Sequence, residues 1–240
     1  MIFELLEDII KLTFIVASLY LALSTFVRKK QPEFSETLEK KRLIILFGLV
    51  LVVVAMKISE DVLGGESGPV DKAILLFIHA HVAGALIPFF AAITVTGSAK
   101  FLFPLTTVIS VLLLSAGRRS EALLLAGSVI SGALAVFIIK TLVARDRPSL
   151  WAAEWYWGSS FPSGHTLAVA AFATAATLCV LKIQPRLKNF AVVLATVWIC
   201  LVGLSRLVLG VHWPTDVLAA ACLGTFLPLA IKVLMHFHRT

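Results

Sequence analysis

Residues 205–216 read Ser-Arg-Leu-Val-Leu-Gly-Val-His-Trp-Pro-Thr-Asp and lie between two strongly apolar runs, 189–204 and 217–235. Each run approaches the ~20 residues that a helix needs to cross a bilayer. The stretch therefore predicts two membrane helices joined by a short turn, with an arginine, a histidine and an aspartate at the membrane boundary. Ionisable residues are costly to keep at such a boundary, so these three are candidates for function.

The composition of the whole chain places it in a membrane. Hydrophobic residues make up 59% of its 240 residues and charged residues 15%, whereas soluble domains have about 45–50% and about 25%. Several further runs are long enough to span, which predicts an all-α, polytopic membrane helical bundle. The net charge of +7 is explained by Lys and Arg in loops on one side of the membrane, so no nucleic-acid partner is predicted.

Seven segments are predicted to span the membrane, six forming the core and one extra helix preceding them: 9–27, 43–58, 99–115, 122–142, 163–181, 189–207 and 215–235. The basic loops are predicted to be cytoplasmic, together with the C-terminus: 28–42, 117–121 and 182–188. The remaining loops then face outside: 59–71, 143–161 and 205–214. This alternation requires that residues 72–97 do not cross, and they are predicted to form an amphipathic or re-entrant helix at the outer face.

The segment 9–27 has acidic residues before it and basic residues after it. A signal peptide has the reverse polarity, so this segment is predicted to be a retained helix with its N-terminus outside. A helix lying in the membrane interface is the alternative that the sequence leaves open. The predicted division is therefore an N-terminal helix with a cytoplasmic linker, 1–42, followed by the main membrane domain, 43–240.

The predicted topology brings three polar clusters to the outer side of the membrane. The first contains Lys140 and Arg147, the second is Pro162-Ser163-Gly164-His165, and the third is the stretch 205–216. The arginine side chains present planar forks that match phosphate oxygens. Pro-Ser-Gly at a helix start offers free N–H groups to an anion, and a glycine lets the ligand approach the backbone closely. Together the clusters predict a phosphate site.

Two histidines give this site its chemistry. Asp216 follows His212 by four residues, and a carboxylate that accepts from one ring nitrogen leaves the other as a nucleophile. His165 is then available to protonate the leaving oxygen. The prediction is in-line phosphoryl transfer through a phosphohistidine, in which three cations stabilise the equatorial oxygens without a metal or cofactor: Lys140, Arg147 and Arg206.

The ordered motifs Lys-x6-Arg-Pro, Pro-Ser-Gly-His and Ser-Arg-x5-His-x3-Asp resemble the three-part signature of the type 2 phosphatidic acid phosphatase (PAP2) superfamily, in its bacterial membrane lipid phosphatase branch. All signature positions are filled, and the resemblance covers roughly residues 99–235. It implies that His212 is the nucleophile, Asp216 its orienting partner and His165 the general acid. It also implies a set of phosphate-binding residues: Lys140, Arg147, Ser163, Gly164 and Arg206.

The function expected from these observations is hydrolysis of a lipid phosphate or pyrophosphate at the outer leaflet, in a bacterial inner membrane with a periplasmic site. A eukaryotic internal membrane with a lumenal site is the alternative location. The candidate substrates are undecaprenyl pyrophosphate, phosphatidylglycerophosphate, phosphatidic acid and the phosphates of lipid A. A lipid phosphotransferase and a non-enzymatic lipid binding or transport protein are the alternatives. The partners implied are a membrane lipid and the bilayer, and the sequence leaves the oligomeric state open.

Other residues near the clusters have weaker assignments. Arg145 and Asp146 are expected either to line the mouth of the site or to pair with each other. His79 and His81 face the outside or the headgroups and are not expected to bind metal. An interfacial aromatic belt, or alternatively a lid over the site or a contact to the acyl chain, is expected from four residues of the loop 143–161: Trp151, Trp155, Tyr156 and Trp157.

Overall fold

The computed structural model describes residues 2–151 and 158–237, and the regular structure in them is entirely helical. These described residues contain ten α-helices, numbered in chain order: α1 Ile2–Lys30, α2 Ser35–Lys40, α3 Arg42–Leu63, α4 Gly68–His81, α5 Ile87–Val95, α6 Ala99–Ser115, α7 Arg119–Val143, α8 Gly164–Ile183, α9 Lys188–Val208 and α10 Pro214–Phe237. The prediction of an all-α membrane bundle is therefore confirmed.

Within the described residues, six helices are long and apolar enough to cross a membrane: α1, α3, α7, α8, α9 and α10. Helix α6 is apolar but has only 17 residues. The outer faces of these helices expose large apolar side chains such as Leu112, Phe137 and Leu142. Such a surface is stable in lipid, and the chain is an integral membrane protein.

Helix α8 forms the centre of the bundle and packs against α6, α7, α9 and α10. Its inward face consists largely of small residues, including the fully buried Ala170, Ala171 and Ala175. Gly224 of α10 lies against this face, where an added Cβ would come within 2.5 Å of the Leu167 carbonyl oxygen. Small residues let membrane helices approach closely, so this contact sets the distance between the helices that begin with two of the polar clusters.

The segment 72–97 forms two helices, α4 and α5, which are bent by 97° at the break between them. The sequence predicted a single helix, whereas Val82 is extended after α4 and Pro88 occupies the first turn of α5. Asp71 at the start of α4 contacts Arg145, and Thr94 near the end of α5 contacts Arg206. Both ends of the pair thus lie at the same end of the bundle, as expected for a segment that does not cross.

Helix α1 lies antiparallel to α3 along much of its length. The Arg42 guanidinium lies 5.9 Å from the centre of the Tyr20 ring, and Asp8 interacts electrostatically with Lys57 towards the other end of the pair. This pairing favours a span over a helix lying in the interface, because α3 is itself long and apolar enough to cross. The division of the chain at residue 42 stays a prediction.

Candidate active site

The three polar clusters meet at one end of the bundle, in the space between the end of α7, the start of α8 and the turn from α9 to α10. The turn carries His212, which is only 2% exposed. Gly210 has φ +66, and an added Cβ would lie 2.5 Å from the indole nitrogen of Trp151. The turn therefore needs glycine for both its backbone conformation and its packing.

The hydrogen bonds of His212 select one tautomer of its ring. Nδ1 lies 3.4 Å from Asp216 Oδ2, and Nε2 lies 3.4 Å from Arg147 Nη1. A carboxylate only accepts and a guanidinium only donates, so both contacts are satisfied when Nδ1 carries the proton. Asp216 Oδ2 is itself fixed by the Trp213 backbone N–H at 2.9 Å. The lone pair of His212 Nε2 is thereby directed towards Arg147.

Burial lowers the pKa of His212 from 6.5 to about 4; the interaction with Asp216 opposes this shift, and the Arg206 and Arg147 cations add to it. A ring that loses its proton so far below neutrality is uncharged at physiological pH. This is the protonation state that a nucleophilic imidazole requires.

Two arginines of the predicted site interact with this histidine, and Lys140 interacts with both arginines. Arg147 donates from Nη1 to the Val211 carbonyl at 2.8 Å. Arg206, which is 1% exposed, donates to Thr94 Oγ1 at 2.6 Å. The Lys140 ammonium donates to the Ser159 carbonyl. A cavity of about 350 Å³ opens beside Lys140 and Arg147, so an anion can reach both.

The start of α8 is joined to the third cluster through its backbone. The Ser163 N–H donates to the Asp216 carbonyl at 3.1 Å, and the Ser163 hydroxyl lies 3.0 Å from that of Thr166. A Cβ added to Gly164 would make only ordinary contact, at 3.5 Å from Val136. The fold therefore does not demand glycine at this position, whereas close approach of a ligand would.

His165 follows in the first turn of α8 and interacts electrostatically with Arg206, His212, Arg147 and Lys140. A second cavity, of about 250 Å³, extends from His165 between α6, α7 and α8. Apart from His165 its lining is formed by apolar and glycine residues, among them Gly97, Leu102, Phe103, Gly132, Ala133 and Ala168. All eight residues predicted for the site thus lie at the same end of the bundle.

Arg145 and Asp146 line the cavity beside Lys140 and Arg147, as the first of their two alternatives predicted. Ala144 has φ +47, which ends α7 and turns the chain. Arg145 then bridges two buried carboxylates, with Nη1 at 2.6 Å from Asp216 Oδ1 and Nη2 at 2.7 Å from Asp71 Oδ2. The predicted pairing of Arg145 with Asp146 is wrong, because Asp146 is exposed whereas these carboxylates require a buried cation.

Asp71 was missed by sequence reasoning, which placed it only at the end of the predicted outer loop 59–71. An acid in the first turn of a helix is also the ordinary complement of the helix dipole, so it carried no distinguishing signal. The structure buries this side chain completely and gives it three donors: Arg145, the Thr215 backbone N–H at 3.0 Å and the Thr215 hydroxyl at 2.6 Å. The network reaches the candidate nucleophile through Asp216.

The loop after α7 contributes an aromatic cover to the turn that carries His212. The ring of Trp151 stacks on His79 at 4.1 Å and packs over Gly210. This position is closer to the predicted lid than to an aromatic belt. Trp155, Tyr156 and Trp157 lie outside the described residues. In the described part of the chain, no three His, Cys, Asp or Glu side chains are grouped as metal ligands would be.

Comparison with known proteins identifies relatives of this chain. The family model of the PAP2 superfamily matches residues 121–239. Phosphatidylglycerophosphatase B of Bacillus subtilis is 27% identical over 187 residues, which cover 77% of this chain and 90% of that protein.

Two solved structures share the fold. The crystal structure of a transmembrane PAP2-type phosphatidylglycerolphosphate phosphatase from Bacillus subtilis matches with a TM-score of 0.73 and 26% identity, covering 79% of this chain and 96% of that one. The crystal structure of Aquifex aeolicus LpxE matches with a TM-score of 0.55 and 23% identity, covering 67% of this chain and 93% of that one, which concerns the fold alone. Taken with the three motifs and their convergence, these matches show that the chain belongs to the PAP2 superfamily and is an integral-membrane phosphatase.

Proposed function

We propose that this phosphatase hydrolyses a lipid phosphate or pyrophosphate through a phosphohistidine formed on His212. The observation that carries the proposal is a pair of cavities beside the predicted site residues. One includes Lys140 and Arg147 in its lining, and the other reaches His165 and is otherwise lined by apolar and glycine residues. The first offers cations to a phosphate head and the second offers apolar walls to a hydrocarbon chain, as a lipid phosphate substrate requires.

In the first step, His212 Nε2 attacks phosphorus while the bond from phosphorus to the leaving oxygen breaks. His165 donates a proton to that oxygen, so the lipid leaves as an alcohol or as a lipid monophosphate. In the second step, a water attacks the phosphohistidine and gives its proton to His165, releasing inorganic phosphate and restoring the imidazole. Asp216 holds the Nδ1–H tautomer throughout and stabilises the positive charge that develops on the ring.

The remaining predicted residues hold the phosphoryl oxygens. Arg147 and Arg206 contribute donors from opposite elements, the loop after α7 and the end of α9, and Lys140 adds a third cation. The N-terminus of α8 offers the backbone N–H of Gly164 and the hydroxyl of Ser163, because the Ser163 N–H already donates to the Asp216 carbonyl. In-line transfer needs such preorganised charge at the three equatorial oxygens, and these groups supply it without a metal.

Phosphatidylglycerophosphate is the first substrate to test, because relatives that align over most of this chain are named for it. The wider panel contains undecaprenyl pyrophosphate, phosphatidic acid and lipid A phosphates. Basic side chains at the opposite end of the bundle, including Lys41, Lys182 and Lys232, support a cytoplasmic position for that end. The site would then face the periplasm from a bacterial inner membrane.

The test is phosphate release from this panel by the purified protein in detergent, with excess EDTA, beside His212→Ala. We expect release that survives EDTA, is inhibited by vanadate and disappears in the variant. Activity confined to water-soluble esters would contradict the lipid substrate, and loss of activity with EDTA would contradict the role given to the three cations. Phosphate appearing on an added lipid acceptor instead of in solution would identify a phosphotransferase.

A further inference from the structure

A buried charge network joins helix α4 to the candidate catalytic pair. Arg145 Nη2 contacts Asp71 Oδ2 at 2.7 Å and Ser67 Oγ at 3.1 Å, while Nη1 contacts Asp216 Oδ1 at 2.6 Å and Thr215 Oγ1 at 2.8 Å. The two nitrogens of one guanidinium therefore hold two carboxylates that come from residues 145 positions apart in the chain.

In this network, each carboxylate oxygen of Asp216 accepts hydrogen bonds from different donors. Oδ1 is held by Arg145, and Oδ2 accepts from the Trp213 backbone and from His212. Asp71 Oδ1 additionally accepts from the Thr215 backbone N–H, which fixes the first turn of α10 directly before Asp216. These contacts on both oxygens prevent rotation of the Asp216 carboxyl group. They thereby fix the orientation of the His212 ring.

Burying the charged groups of this network costs free energy, so stability alone does not explain why the network is present. Asp71 and Asp216 are both fully buried, and replacing buried ion pairs with apolar residues is often neutral or stabilising. A single cation between two carboxylates also leaves the group with one net negative charge, which His212 and its neighbouring cations experience. A network built only to stabilise the helix contact would not need to end on the candidate orienting carboxylate.

We propose that Asp71 and Arg145 are positioning residues that fix Asp216, and through it His212, so that helix α4 is a working part of the active site. This inference rests on the proposed function, since it assigns a role around the same nucleophile. Neither residue touches the phosphate in this assignment. Both act by holding the Asp216 carboxylate in the orientation that His212 requires.

Three variants separate positioning from packing. Asp71→Asn keeps the shape and the acceptor for Thr215 but removes the charge that holds Arg145. Arg145→Lys keeps the charge but cannot hold two carboxylates with one planar fork. Arg145→Gln removes the charge. Asp61→Asn is the matched control, because Asp61 lies at the same end of the bundle and its carboxylate pairs with Lys57 at 2.8 Å instead.

We expect each of the three to lower kcat for phosphatidylglycerophosphate by on the order of 100-fold, the effect of a misplaced catalytic group, with less than threefold change in KM. The double variant Asp71→Asn/Arg145→Gln should be about as slow as either single variant, because both act through Asp216. Asp61→Asn should retain wild-type kcat. All values are taken per folded molecule, with the folded fraction measured by thermal unfolding in the same detergent.

The pH profile adds a readout that a packing defect would not move. The charged and titratable groups that interact with His212 are Asp216 from α10, Arg206 from α9, His165 from α8 and Arg147 from the loop after α7. Lys140 from α7 interacts with both arginines and with Asp216. Removing the Arg145 cation beside Asp216 favours protonated His212, so the acid limb of kcat/KM should move to higher pH in Arg145→Gln. Removing the Asp71 charge should move that limb to lower pH. We expect shifts of about 0.5 pH unit in these opposite directions.

The outcomes distinguish the two proposals. Failure of the wild type to release phosphate, or release that persists in His212→Ala, would contradict the proposed function itself. If His212→Ala is inactive but Asp71→Asn and Arg145→Lys retain wild-type kcat per folded molecule, the positioning role is wrong. Rate losses that multiply in the double variant, or acid limbs that stay in place, would likewise overturn it in favour of simple packing.

Discussion

The two ends of the bundle both contain a buried carboxylate beside basic residues, yet only one of them has the geometry of a reaction centre. At the opposite end from the site, Glu121 is buried at the start of α7 and pairs with Lys182 Nζ at 2.9 Å, but that Lys182 side chain is 56% exposed. At the site end, Asp216 is buried together with its partner Arg145, whose side chain is only 14% exposed.

The difference lies in the cations. Lysines on flexible stems at the opposite end reach towards the headgroups and water, where solvent screens their charge. At the site end, Arg145 is held by carboxylates on α4 and α10, and Arg147 by backbone carbonyls of two loops, so their charge is fixed in place and poorly screened. Basic residues at a helix end thus suffice to orient a membrane protein, whereas a phosphate site also requires that the cations be buried and bound.

The largest difference in activity should appear when one arginine at each end of the bundle is replaced by lysine. Arg206→Lys removes the planar fork that donates to Thr94, and we expect kcat/KM to fall by about 10²–10³-fold, as when one preorganised donor is lost from a transition state. Arg118→Lys at the opposite end, where Arg118 lies 3.6 Å from Glu121, should change kcat/KM by less than twofold. Phosphate release by the two purified variants checks this, and similar losses in both would remove the distinction between the ends.

A smaller effect is expected from two glycines that differ in what surrounds them. Gly164→Ala is accommodated by the fold but places a methyl group where the phosphate approaches, so we expect kcat/KM to fall by about tenfold with little change in Tm. Gly224→Ala places its Cβ 2.7 Å from that of Ala170, so Tm should fall by several degrees. Thermal unfolding and phosphate release measured on both proteins would show loss of activity for Gly164→Ala and loss of thermal stability for Gly224→Ala. A fall in Tm for Gly164→Ala without loss of activity per folded molecule would contradict it.

Much of the fold could be predicted from the sequence because a membrane constrains the composition of each segment and of each loop. Apolar runs and loop charges predict the spans and the arrangement of their ends, and a spacing of four residues is enough to place Asp216 beside His212 in a helix start. The three motifs are each local, and the alternation of spans carries them to one end. None of these steps requires knowledge of a distant contact.

Contacts between segments that are far apart in the chain could not be predicted from these local patterns. Thr94 binds Arg206 across 112 positions, and Asp71 binds Arg145 across 74. Neither Thr94 nor Asp71 differs in its local pattern from an ordinary residue of an apolar helix or of a helix start. The break between α4 and α5 was equally hidden, because Gly84 and Pro88 are compatible with a kinked helix as well as with two helices. The pairing of Arg145 depended on which buried carboxylates the fold brings near it.

The smallest effect should follow from Lys182→Gln, which tests whether the opposite end is only an anchor. Lys182 also donates to Ser120 Oγ at 3.1 Å, but an ion pair with an exposed partner contributes about 1 kcal/mol or less. For a chain of this size that corresponds to a change in Tm of about 2–4 °C. Glu121 keeps the Ser120 hydroxyl as a donor at 2.6 Å and Arg118 as a nearby cation, so its carboxylate is not stranded. We therefore expect kcat/KM within twofold of the wild-type value. A tenfold loss at unchanged Tm would mean that the charge at this end reaches the site through α8, the helix that begins at Gly164 and carries Lys182 in its last turn.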